Sequence, residues 1–129
     1  MKDARGFLKQ EFIDNNVPNG LLTVYLVDYG FVPGELDFEV LCRIKEMTED
    51  PIIKRVELVE DFTEIDGKHC ITFSATEHVD NFEELAIDYI STHIEAGDMH
   101  LVVESKVSTE FSAWAEQNHR RFLESIKFK

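Results

Sequence analysis

The chain has 129 residues, 43% of them hydrophobic and 11% aromatic, which is enough to bury one core and too little for two, so 1–129 reads as a single domain. A formal charge of −13 excludes a protein that grips nucleic acid through its phosphates, because that affinity comes from clustered Lys and Arg. Ten Phe among many Ile, Leu and Val exclude the disordered class, which cannot bury enough apolar surface to fold.

In chain order, Asp3 to Asn15 sets Ala4, Phe7, Leu8 and Phe12 on helical spacing, and Asn15 to Gly20 supplies turn residues, so an N-terminal helix is expected. Leu21 to Tyr29 is a strand by its β-branched and aromatic content. Apolar residues fall on both of its faces, as in a strand covered twice. The segment 35–47 admits two readings. As a strand it places Leu36, Phe38, Val40, Cys42 and Ile44 on one side; as a helix it makes a stripe of Leu36, Val40, Ile44 and Met47. The strand accommodates more residues and is the expectation.

A third strand runs from about Ile53 to Ile65. Asp66-Gly67 then predicts a tight hairpin into the strand His69 to Ala75, because both central residues of a type I′ turn need positive φ. Asp80 with Glu83 forms a capping box, apolar residues recur at helical spacing from Phe82 to Ile94, and Gly97 closes the run, which predicts a central helix. Met99 to Val107 alternates as a strand. From Ser108 onward Phe111, Trp114, Ala115, Phe122 and Ile126 share one face of a C-terminal helix.

The expected fold is α+β: a mostly antiparallel five-stranded sheet made of a four-strand meander, a helix and a fifth strand, with N-terminal, central and C-terminal helices on one face. The opposite face is expected to show Arg43, Lys45, Arg55, Glu57, Thr72, Ser74, His100 and Glu104 to solvent. A ferredoxin-like βαββαβ arrangement with extra terminal helices is the alternative, and it requires a helix at 35–47.

Catalytic and metal motifs are incomplete. His93-Ile94-Glu95 has the His-x-Glu of zinc deaminases without their Pro-Cys-x-x-Cys. His93, His100 and Asp98 could converge across a turn, but a packed histidine is the simpler reading. The acid-rich loop 61–67 cannot be an EF-hand, since placing Gly67 at the sixth position puts Phe62 where the first ligand belongs. Cys42 and Cys70 show neither CxxC nor dense spacing, which suggests reduced thiols; Cys42 is expected on a buried face, and Cys70 cannot share a strand face with His69. No apolar leader and no apolar run near ~18 residues are visible, so the expectation is a cytoplasmic protein with no membrane contact and no cofactor.

Charge placement is the informative feature. Residues 1–56 hold seven bases and ten acids (net −3), 57–104 one base and thirteen acids (net −12), and 105–129 five bases and three acids (net +2). A field of one sign either keeps a small protein soluble or steers it to a partner of opposite sign. The leading expectation is a non-enzymatic binding protein that docks on a basic protein, through Glu57, Glu60, Asp61, Glu64 and Asp66 with Glu83, Glu84 and Asp88. Small size and acidity are similar to what is seen in immunity proteins, antitoxins, phage inhibitors and secretion chaperones, a resemblance of composition that transfers no residue. The alternative is a small-ligand protein or enzyme with a pocket between sheet and helices, using Tyr25, His93 or His100. Excess apolar area further predicts a homodimer.

Overall fold

The computed structural model describes residues 8–13, 20–27, 33–60, 63–78, 86–97 and 99–128. Its order is β1 (Leu8–Ile13), β2 (Leu21–Val27), α1 (Leu36–Thr48), β3 (Ile53–Val59), β4 (Glu64–Ile65), β5 (Lys68–His78), β6 (Ala86–Ala96), β7 (Met99–Ser108) and α2 (Ser112–Ser125), with a 3-10 turn at Thr109–Phe111 leading into α2. The strands form one antiparallel sheet in the order β1-β2-β7-β6-β5-β3, with the two-residue β4 paired to the start of β5. The α+β class and the antiparallel sheet are as the sequence predicts, including the return of β7 beside β2.

Three elements differ from expectation. The 35–47 segment is helix, because two of the residues that made the strand pattern look better, Phe38 and Cys42, are exposed; the true buried pair is Leu36 and Val40, spaced one turn apart. Asp37 and Glu39 in its first turn and Lys45 in its last suit the helix dipole. Residues 8–13 form a strand where a helix was expected; the rest of that predicted helix lies outside the described residues, apart from this stretch.

Residues 86–96 form a strand, not the end of a central helix. They are buried on both sides, so apolar and small polar residues succeed one another without the alternation of a half-solvated strand. Asp80 to Leu85, the start of that predicted helix, lies outside the described residues. Gly97, at φ 66, closes the turn between β6 and β7 and does not cap a helix. With β1 and β6 gained and 35–47 lost, the five expected strands become six along the sheet. The ferredoxin-like alternative fails with the central helix.

The two helices cover opposite faces, not one. Thr72 and Phe73 are neighbours on β5 and so point apart: Thr72 bonds to Thr92, which bonds to His119 of α2, whereas Phe73 packs against Leu36 and Val40 of α1. Beneath α2, Cys70, Ile94, Val103 and Leu123 form one cluster, with Val107 and Ala115 continuing it toward Trp114. Beneath α1, Leu36, Val40 and Phe73 form another with Val56 and Ile71 around them. Each fully buried Leu, Ile or Val contributes ~1.5–3 kcal/mol. Thr72 and His100, expected on a solvated face, are accordingly buried, one under each helix.

Candidate functional site

The expected docking acids do not behave alike. Of the thirteen between Glu57 and Glu104, eight are described, and those on β5 and β6 serve as internal acceptors. Glu77 accepts from the Tyr89 hydroxyl at 3.0 Å, and Glu95 from the Gly34 N–H at 2.7 Å. Asp88, 9% exposed, accepts from the hydroxyls of Thr76 at 2.8 Å and Thr109 at 3.1 Å. Asp88 is therefore not a docking residue; it ties β5 to the turn that enters α2. Its burial between β5 and β7 in the register of the sheet removes it from any surface.

Three exposed acids, Glu60, Glu64 and Asp66, lie along the connection between β3 and β5, whereas Glu57, opposite Ser74, stands on β3 on the other face of the sheet from Glu64, opposite His69. Glu57 on β3, Glu60 just beyond it, Glu64 on β4 and Asp66 in the following turn are all open to solvent. The connection is shaped by the hairpin that the sequence predicts: Asp66 at φ 50 and Gly67 at φ 80 make the type I′ turn, and Ile65 anchors it in the core at 5% exposure. Glu57 pairs with Arg55 at 3.3 Å, and an Asp66 carboxylate oxygen accepts the Phe128 N–H at 2.7 Å. Glu64 faces His69 across the hairpin, and His69 in turn meets Asp37 of α1 at 2.6 Å. Asp61, Glu83 and Glu84, also expected in the docking set, lie outside the described residues.

The residues proposed for a ligand pocket are partly brought together. On the face beneath α1, His93 Nδ1 lies 2.7 Å from His100 Nε2, Ser91 Oγ lies 3.2 Å from His93 Nε2, and a Glu39 carboxylate oxygen stands 3.6 Å from His100 Nδ1. With Glu39 ionised, one set of tautomers fits: Ser91 donates to His93, His93 Nδ1–H donates to His100, and His100 Nδ1–H points at Glu39. Phe73 stacks on the His93 ring with centroids 5.7 Å apart. Tyr25 shares this face, separated from His93 by Val102 in the cross-strand row.

Burial governs the electrostatics here. The His93 pKa is lowered to about 3, by desolvation first, then by His100 and Arg43. Desolvation also lowers that of His100, and it raises that of Glu39 with help from Glu35. Both imidazoles are thus neutral near pH 7, and neither is poised as a base on an open surface.

A third histidine, which sequence reasoning passed over, is His119. It is 3% exposed and bridges α2 to the sheet, its Nε2 2.8 Å from Thr92 Oγ1 and its Nδ1 2.7 Å from Ser105 Oγ. Burial lowers its pKa to about 4. The signal was available: His119 falls four residues after Ala115 and four before Leu123, on the buried stripe of α2. Beside it is a cavity of about 110 Å³ lined by Val59, Thr72, Ser74, Ile90, Glu116, His119 and Arg120. That volume is below the ~300–1,000 Å³ of a small-molecule site. It lies on the face opposite His93 and His100.

Cys70 is a buried core residue whose pKa is raised to about 11, by desolvation and then by the charge of Glu64, while Cys42 is exposed on α1. Cys42 thus departs from its expected buried position because its segment is a helix. Among the described residues no group of three or more His, Cys, Asp or Glu is placed to hold a metal ion. Nor is any described helix long and apolar enough to cross a membrane.

Comparison with known proteins adds the fold. No protein-family model and no curated protein matches the chain. Among solved structures, a Pseudomonas aeruginosa protein of unknown function, described as a candidate regulator, superposes with a TM-score of 0.66 at 7% identity, over 98% of this chain and 85% of that one. At that identity the likeness establishes the architecture alone.

Proposed function

We propose that this chain is a non-enzymatic, cytoplasmic binding protein that docks on a basic protein surface, as an inhibitor, immunity protein, antitoxin or chaperone does. One observation carries the reading: the acidic window divides into carboxylates bound within the sheet, Glu77, Asp88 and Glu95, and a run of exposed ones along the β3–β5 connection, Glu60, Glu64 and Asp66, with Glu57 exposed on β3 beside Arg55. A one-sign patch accelerates encounter with a basic partner and disfavours acidic ones. The regulatory role suggested for the structural neighbour is compatible with action by binding.

A pocket built on Tyr25, His93 and His100 has less support, since both imidazoles are already engaged with each other. The test is a comparison of two baits in native lysate: the wild-type chain and a variant carrying Glu60→Lys, Glu64→Lys and Asp66→Asn. The Asn keeps an acceptor for the Phe128 N–H. Basic proteins captured by the first and lost by the second support the reading; identical captures refute it.

A further inference from the structure

β3 ends the sheet, and the ladder shows which of its backbone groups face outward. The His78 N–H donates to Ile52 O and the Cys70 N–H to Thr63 O, so the even-numbered residues of β5 turn their polar backbone groups toward β3 and β4. These directions alternate along an antiparallel pair. Arg55, Glu57 and Val59, opposite Thr76, Ser74 and Thr72, therefore bond inward. Val56 and Leu58, opposite Ala75 and Phe73, direct their N–H and C=O groups away from the sheet. Among the described residues no strand pairs with that outer edge. The ladder shifts register between Ile53 and Arg55, and from Arg55 to Val59 the edge is regular and without proline, a template for another strand.

The side chains select the partner. In a chain of net charge −13, β3 carries two bases, Lys54 and Arg55, and one acid, Glu57, so this edge lacks the acidic excess by which two copies repel elsewhere. We propose that a second copy of this chain pairs with β3 in antiparallel register centred on Val56, joining the two sheets into one. Outward-facing groups must meet outward-facing groups, so the two-fold axis passes through a residue. Centring on Arg55 or Glu57 sets like charges face to face, which is destabilising. Centring on Leu58 leaves Glu57 opposite Val59.

Centring on Val56 sets Arg55 opposite the partner's Glu57, twice by symmetry. These fall at the pair type without mutual hydrogen bonds, where facing side chains approach most closely. Leu58, 49% exposed in the single chain, then lies opposite the partner's Lys54, whose aliphatic stem can cover it, and diagonal to the partner's Val56 on the other face. Of the exposed acids the seam uses only Glu57, which the bait variant leaves unchanged, so failure of the seam leaves the test on Glu60, Glu64 and Asp66 untouched.

Sedimentation equilibrium at micromolar protein and low salt tests the register. The wild type is expected to be a dimer. Arg55→Glu and Glu57→Arg, each placing like charges opposite one another at two positions, are expected to weaken dimerisation ~10-fold or more. The double variant R55E/E57R restores the opposition and is expected to recover dimerisation, which also shows that the exchanged side chains permit folding. A monomeric wild type, single variants as dimeric as the wild type, or a double variant that stays monomeric would each overturn the proposal.

Discussion

His93 Nδ1 and His100 Nε2 lie 2.7 Å apart, a distance at which two buried imidazoles share one proton and exclude a second charge. The folded chain thus refuses protons that the unfolded chain accepts near the ordinary value of 6.5, since the folded pKa of His93 falls to about 3 and that of His119 to about 4. Where the unfolded state binds more protons, stability rises with pH. The histidine contribution is complete above 6.5 and is lost as pH falls toward those folded values. Each histidine contributes up to ~1.4 kcal/mol per pH unit in that window. Urea midpoints should fall between pH ~7.5 and ~5, and His93→Gln with His100→Gln should flatten the slope, leaving the share of His119. Midpoints independent of pH would contradict this.

His119 joins α2 to β6 and β7 through two hydroxyls, so His119→Ala removes two hydrogen bonds and opens space beside the existing cavity. A loss of ~2–4 kcal/mol is expected by chemical denaturation. A loss under ~1 kcal/mol would mean that water replaces the ring without cost.

Along the same helix, Leu123 is 1% exposed whereas Trp114 is only half-buried against Val107 and Ala115. Leu123→Ala should cost ~2–5 kcal/mol; Trp114→Ala should cost ~1–3 kcal/mol, less than a fully buried Trp. Equal losses would show that Trp114 is as enclosed as Leu123.

The hairpin depends on Gly67 at φ 80, where a Cβ meets no neighbouring atom but the backbone conformation itself is strained for other residues. Gly67→Ala should therefore destabilise by ~1–2 kcal/mol through conformation alone. Thermal unfolding of Gly67→Ala beside Gly67→Asn, which tolerates positive φ better, separates strain from packing: Asn should be the milder change.

The parts of this fold that were legible are those whose residue types and spacing admit one reading. β5 and β7 alternate, α2 carries a broad apolar stripe, and Asp66-Gly67 has turn chemistry that few other structures accept. β6 was illegible because helices cover both its faces: Ile90 and Ile94 lie toward α2, and Tyr89 and His93 lie on the α1 side, so spacing alone resembles a helix. At α1, Phe38 at 68% and Leu41 at 52% exposure are apolar residues in solvent, which no periodicity argument anticipates. For the candidate site, the sequence located the acidic window but not its division. Asp88 and Glu57 are both acids in strands, and only the register decides that Asp88 meets two hydroxyls while Glu57 meets solvent and Arg55.

The exposed acids of the β3–β5 connection are central to the proposed docking, and the most direct measurement is the affinity of the captured partner for the wild-type chain and for the variant Glu60→Lys, Glu64→Lys, Asp66→Asn. Titration calorimetry at 0.1 M and 1 M salt spans Debye lengths of ~10 Å and ~3 Å. The account predicts binding that weakens steeply with salt and is lost, at least ~100-fold, in the variant, with the variant as stable as the wild type. Affinity that is indifferent both to salt and to the three substitutions would contradict it.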